Sequence, residues 1–229
     1  MKYDLGSDLH VDANAREGMV KFKENKNEGS ETIVIAGDIS NDPALSMLVI
    51  ISAAKHYENV IFVDGNHEHY SNVASGLNIT NTMDYLREAS KLTANVTYLD
   101  GNNHIVIDGV MFVGANAWYD FKMQPEQYSF EMSKSRWRRN INDYTHSGFD
   151  KEPEEYAVEQ ADNIAKQITY AQTDSTIEKI VVVTHTIPSS KGLLVKHIPE
   201  WDMINGAFGC FAISKVFEAD INTKIVHSV

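Results

Sequence analysis

Thr32-Ile33-Val34-Ile35-Ala36-Gly37-Asp38 is the stretch that decides how this chain folds. Four of its first five residues are β-branched, and no charged residue interrupts them. A short apolar run of that kind reads as a strand buried on both faces, as in parallel sheets covered by helices. It ends in a glycine and a carboxylate. The glycine lets the backbone turn sharply and lets a ligand come close. The carboxylate stands at the carboxyl end of the strand, where open α/β sheets form their ligand crevice.

The same pattern recurs on both sides of this stretch. A short strand at residues 3–7 runs into Ser7-Asp8-Leu9-His10, and one at 59–63 runs through Asp64 into Gly65-Asn66-His67-Glu68. A third apolar strand, residues 179–184, delivers His185. Asp38 follows Asp8 by 30 residues and Asn66 follows Asp38 by 28, each about one strand-plus-crossover unit of ~30 residues. Between these strands the pattern predicts helices at 43–56, with Pro43 in the first turn, and at 81–91. Strands follow at 96–99, 104–107 and 110–114, and Asp108-Gly109 signals a hairpin between the last two. Ala157, Ala161, Ile164, Ile168 and Ala171 form one stripe of a helix over 153–172. A last strand is expected at 223–229. Residues 119–153, which carry Arg136-Trp137-Arg138-Arg139, and residues 186–209 read as irregular. The alternation of strand and helix predicts an α/β fold, a mixed sheet with helices outside.

The chain has 229 residues, enough for one domain with a sizeable core. Against 20 Lys and Arg stand 32 Asp and Glu, a net charge of −12. That surface repels phosphate backbones, so long nucleic acid is not an expected partner. One cysteine, Cys210, excludes an intrachain disulfide and fits a cytoplasmic location. Residues 1–6 lack the apolar core of a leader peptide, and the longest apolar stretch, 44–54, is broken by serines and far short of a membrane span.

Each Asp or His taken singly reads as a cap, a turn or a satisfied structural residue. Delivered together to one rim, they read as a metal site. In extended backbone Asp8 and His10, two apart, point the same way. Carboxylate and imidazole without thiolate suit Mn, Fe, Zn, Ni or Co. The set is large enough for two ions sharing a bridging Asp, and two ions ~3.5–4 Å apart can generate hydroxide and clamp an in-line displacement at phosphorus.

Asp8-x-His10, Gly37-Asp38, Gly65-Asn66-His67-Glu68 and the isolated His185, in this order at strand ends, resemble the calcineurin-like metallophosphoesterase family, most closely its small bacterial and phage members. The resemblance spans nearly the whole chain. It implies a four-layer α-β-β-α sandwich and a phosphomonoester or phosphodiester hydrolase. It implies that Asp8 and His10 bind one divalent metal, that Asp38 bridges two, and that Asn66 and His185 bind the second. It implies that His67 is not a ligand but protonates, or stabilises charge on, the leaving oxygen, while hydroxide between the metals attacks. The family also carries a Gly-His-x-His loop after its last strand, which is not in these 229 residues. The expectation is therefore a single domain, 1–229, ending just short of that loop, with His227 a strand residue. The same departure supports a competing reading, a non-catalytic metal-binding scaffold. The arginines that flank these motifs in protein phosphatases are absent, so a small phosphorylated molecule such as a nucleotide is the expected substrate.

The remaining residues receive plainer readings. Glu68 is expected to hydrogen-bond around the site, and His69 to line its rim. Trp118 and Trp137 are read as packing residues and Cys210 as buried. His56, His104, His146 and His197 are read as structural. The arginine cluster is read as solvated loop charge partly paired with residues 150–155, and 186–209 as a loop on the substrate side.

Overall fold

The computed structural model describes residues 1–13, 22–194, 196–219 and 225–228, the backbone alone at 219 and 225–228. The buried apolar runs form two four-stranded sheets. In the first, β1 (Tyr3–Gly6), β2 (Thr32–Ala36), β3 (Asn59–Val63) and β4 (Val96–Tyr98) are all parallel. Their connections carry the short α1 (Phe22–Asn25), then α2 (Pro43–Ala53), then the one-turn α3 (Asn72–Ser75) and α4 (Ile79–Ser90). Parallel neighbours need such crossovers, so this sheet is purely parallel where a mixed one was predicted.

In the second sheet β5 (His104–Ile107) is antiparallel to β6 (Val110–Ala115), which runs parallel to β7 (Lys179–Thr184) and β8 (Ile225–Ser228). This sheet is mixed, as expected. The hairpin turn takes positive φ at both Asp108 (49°) and Gly109 (74°), the conformation that matches the twist of the strands it joins. His227 lies in β8, opposite Val181; the rest of the predicted last strand, 223, 224 and 229, is outside the described residues.

Successive side chains on each central strand face opposite ways, and both faces are covered. Val34 and Ala36 of β2, Ile61 and Val63 of β3, Phe112 of β6, and Val181 and Val183 of β7 form one core, between the sheets. Ile33, Ile35, Val60 and Phe62 turn the other way, onto Met47, Val49 and Ile50 of α2 and Leu86 of α4. Met111, Val113, Ile180 and Val182 turn outward onto a third core. That core takes the Ala157–Ile164–Ile168 stripe of α7 (Pro153–Thr173) and Ile213 of α9 (Phe211–Ala219). Three cores separate four layers, helix, sheet, sheet, helix. This is why the strands are apolar throughout and do not alternate.

The region 119–153 departs from its irregular reading. It contains α5 (Phe130–Asn140) and the short α6 (Asp143–His146), and α8 (Pro199–Ile204) interrupts the loop that follows β7. The Ser129 side chain caps α5 by accepting from the Met132 N–H at 3.2 Å. Of this helix only Ser133, Lys134 and Trp137 are buried, too sparse a stripe to reveal the period. The arginines therefore sit on a helix and not in a loop. Arg138 still meets Glu152 at 3.3 Å, and Lys134 reaches Glu152 at 2.8 Å and also Glu154. Trp118 and Trp137 are fully buried, each packed edge-on against Phe149 at 4.9 and 5.7 Å. Among the described residues no helix is long and apolar enough to cross a membrane.

Candidate metal centre

β1, β2 and β3 end at one edge of the first sheet, and β7 of the second sheet ends beside them. Asp38, only 4% exposed, is the point on which the other groups converge. Its Oδ1 lies 3.3 Å from His185 Nε2, which is itself 2.9 Å from Asn66 Oδ1. Its Oδ2 lies 3.9 Å from His10 Nε2 and 3.8 Å from His67 Nε2. Asp8 Oδ1 is 3.9 Å from the same His10 nitrogen, and Asp8 accepts the Ser7 hydroxyl on its other oxygen. All six candidate residues therefore come together, and ligand atoms of His10, Asp38 and His67 lie within 4.8 Å of one another.

Asp8 and His10 do not reach this position by extended alternation. Both have positive φ (54° and 41°), as has Asp38 (56°). Such backbone is uncommon for residues with a Cβ and costs on the order of 1–3 kcal/mol each. Backbone bonds hold the turn in register: the Asp8 N–H donates to the Gly37 carbonyl and the His10 N–H to that of Asp38, each at 3.1 Å. The glycines are required by contact. A Cβ on Gly65 would lie 2.1 Å from Asp38 Oδ1, and one on Gly37 would lie 2.7 Å from both Gly65 and the His185 ring.

The ring nitrogens are oriented from behind. His185 Nδ1 faces the Ala36 carbonyl at 2.8 Å. A carbonyl only accepts, so Nδ1 carries the proton and Nε2 is the atom offered to the site. Burial disfavours the imidazolium of His185, but the Asp38 carboxylate and the Ala36 carbonyl outweigh it and raise its pKa. His67 Nδ1 contacts Asn41 Oδ1 at 2.6 Å, its ring stacks on Tyr70 at 4.1 Å, and its own N–H donates to Asp38 Oδ1 at 2.9 Å.

Glu68 behaves as its sequence reading anticipated. Its buried carboxylate accepts the backbone N–H groups of Gly65 (2.7 Å), Asp38 (3.0 Å), Ile39 (2.7 Å) and Ser40 (3.2 Å), and the Ser46 hydroxyl (3.0 Å). One side chain thus ties the β2 turn to the β3 turn. Burial and the nearby Asp38 charge raise its pKa above that of an ordinary glutamate.

Asp143 of α6, unremarked in the sequence, is a further part of the site. It is buried and accepts from Tyr70 (2.5 Å), Tyr119 (2.7 Å) and the Asn66 amide nitrogen (3.0 Å). Fixing that nitrogen turns Asn66 Oδ1 toward His185. The partners lie 77 residues apart in sequence, with no motif between them. His69, by contrast, is not on the rim. It is fully buried, paired through Nε2 with the equally buried Asp64 at 2.7 Å, and packed near Trp118.

A cavity of 520 Å³ opens directly from these residues. Asp8, Asn66, Tyr70, Asp143 and His185 line one end, and the segment after β7 supplies much of the other. That segment, expected as a loop on the substrate side, lines the cavity and carries α8.

The donor set fits a cation. His185 Nε2, Asn66 Oδ1 and the carboxylates of Asp8 and Asp38 turn electron pairs toward one small volume. Among the described residues, no Lys or Arg lines the cavity to neutralise them.

Known proteins resemble this chain in sequence family and in fold. The sequence model of the calcineurin-like phosphoesterase family matches residues 1–201. A solved structure, a phosphopantetheinyl hydrolase from Mycobacterium tuberculosis, superposes with a TM-score of 0.72 at 17% identity, covering 98% of this chain and 79% of its own. At that identity the likeness is one of fold. No curated protein sequence matches. The chain belongs to the calcineurin-like phosphoesterase family, a metal-dependent family of hydrolases.

Proposed function

We propose that this member of the calcineurin-like phosphoesterase family hydrolyses a small phosphoester with the help of two divalent cations held around Asp38. Asp8 and His10 would hold one, Asn66 and His185 the other, and Asp38 would bridge them. The observation that carries this reading is the division of labour within one carboxylate: Oδ1 faces His185, and Oδ2 faces His10. Bound there, divalent cations lower the pKa of water toward neutrality and offset phosphate charge.

The chain's own residues supply the remainder. The Glu68 carboxylate keeps the two turns from separating, so the spacing of donors is set before substrate arrives. Asn41 holds His67 Nδ1, which fixes Nε2 toward the Asp38 side of the site. When doubly protonated, His67 can give the Nε2 proton to the departing oxygen. In the balanced reaction a water oxygen bonds to phosphorus, the phosphorus–oxygen bond to the organic group breaks, and that oxygen leaves protonated.

A second reading, His67 as a metal ligand, has its own support in the proximity of His10, Asp38 and His67. One experiment addresses both. Metal content is measured together with hydrolysis of an aryl phosphodiester and an aryl phosphomonoester in Mn²⁺. Asp38→Asn is expected to lose metal and turnover. His67→Ala is expected to keep metal and lose rate; loss of metal as well would make His67 a ligand. Wild-type protein that binds metal but turns over neither ester would support the scaffold reading, and protein that does neither would sink the proposal.

A further inference from the structure

We infer, resting on the hydrolase reading above, that the group released from phosphate is uncharged and apolar, preferably flat, and occupies the outer end of the 520 Å³ cavity. The cavity has two chemically distinct ends. The inner end is the Asp8–Asn66–His185 group. The outer end is built by Ile141, Leu193, Leu194, Trp201 and Phe208. Trp201 and Phe208 are stacked, their ring centres 5.5 Å apart and 25° from coplanar. The Trp201 indole N–H donates to the Leu194 carbonyl at 3.3 Å, which ties α8 to the turn before it. Leu194 is 62% exposed, a large apolar side chain left beside an opening.

Charge points the same way. Asp8 and Asp143 line the cavity, and among the described residues neither Lys nor Arg does. The Lys196 ammonium lies over the Trp201 ring at 3.6 Å, and Lys196 is not part of the lining. Cations bound at the inner end can compensate the reacting phosphate. None of the described residues at the outer end carries a positive charge to compensate a second phosphate or a carboxylate, and burying an unpaired charge there costs far more than burying an apolar ring gains. This narrows the expected class away from nucleoside polyphosphates and toward monophosphorylated aryl or alkyl alcohols.

The test separates the cavity's preference from catalysis. Binding of naphthol and of naphthalenesulfonate, its charged counterpart, is measured by calorimetry on metal-free protein. Naphthol is expected to bind at least about tenfold more tightly, a discrimination within the reach of one hydrophobic pocket. Trp201→Ala is expected to weaken naphthol about tenfold and Trp201→Phe to restore most of it. Leu194→Glu, at an exposed position that cannot unfold the core, is expected to weaken it as well. With Mn²⁺, Trp201→Ala is expected to lower kcat/KM for naphthyl phosphate about tenfold more than that for methyl phosphate. Equal binding of the sulfonate, or equal losses for both esters, would overturn the inference. Naphthol binding without turnover of any ester would instead overturn the hydrolase reading and support the cavity's preference.

Discussion

Two buried aspartates sit on either side of Gly65, and they have opposite surroundings. Asp64 is met by donors: the Tyr98 hydroxyl at 2.8 Å, the His69 ring at 2.7 Å and, more distantly, the Asn116 amide at 3.5 Å. Asp38 receives the His67 N–H, but the side chains around it turn acceptors toward it: His185 Nε2, the ring's proton being on Nδ1 and directed at the Ala36 carbonyl, and Asn66 Oδ1 behind it. The first aspartate is a completed hydrogen-bond group and stabilises the fold. The second is an incomplete one and calls for a cation. Residue types are the same in both; the direction of the donors differs, and with it the function.

The contrast can be broken most forcefully by truncation. Asp64→Ala leaves His69 and Tyr98 buried without their partner, and is expected to cost about 3–5 kcal/mol in urea unfolding. Asp38→Ala is expected to change metal-free stability by about 1 kcal/mol or less, the worth of one backbone hydrogen bond, while abolishing metal uptake. Equal destabilisation by the two would erase the distinction.

Glu68→Gln should sharpen it from behind. An amide cannot accept from four backbone N–H groups as a carboxylate does, so calorimetric Mn²⁺ affinity is expected to fall about 10–100-fold in a protein that remains folded. Asp143→Leu, which removes the acceptor that an asparagine would keep, should act more mildly on the metal. Released from Asp143, the Asn66 amide can rotate, and about tenfold weaker Mn²⁺ binding is expected; unchanged affinity would mean that Asp143 serves packing alone.

The smallest effect is on acid stability. Burial alone would raise the Asp64 pKa, but the hydrogen bonds and charge of His69 and the Tyr98 bond hold it below the usual aspartate value. A depressed folded-state pKa gives stability that is complete above the unfolded value of about 3.9 and is lost as pH falls through the lower folded value. Urea midpoints followed from about pH 5 to about pH 2 should therefore fall less steeply in Asp64→Asn than in wild type.

Much of the centre was legible because its residues follow strands whose apolar runs announce themselves. Gly37-Asp38 and Gly65-Asn66-His67 sit at strand ends where the sheet must place them. The four layers came from the family resemblance alone, since strands without alternation, such as residues 32–36, say only that both faces are covered. What local sequence could not give was direction and long-range pairing. Asp8 and His10 were read as extended, but both take left-handed backbone. His69 was placed on the rim because it follows the motif, yet Asp64 draws it into the core. Asp143 reaches Asn66 only through tertiary packing. Helix α5 hides because most of its residues face solvent, leaving one tryptophan to mark its buried side.

The positive φ angles at Asp8, His10 and Asp38 carry a consequence for how this sequence can drift over generations. At each of these positions glycine would sit with less strain, and the chemistry of the site favours the residue found there. Selection for folding and selection for activity therefore pull in opposite directions at the same three codons. A descendant relieved of its catalytic task would be expected to lose these residues early, with glycine in their place and the four layers intact. Replacement there would serve as a dated record of lost activity, written before any damage to the core.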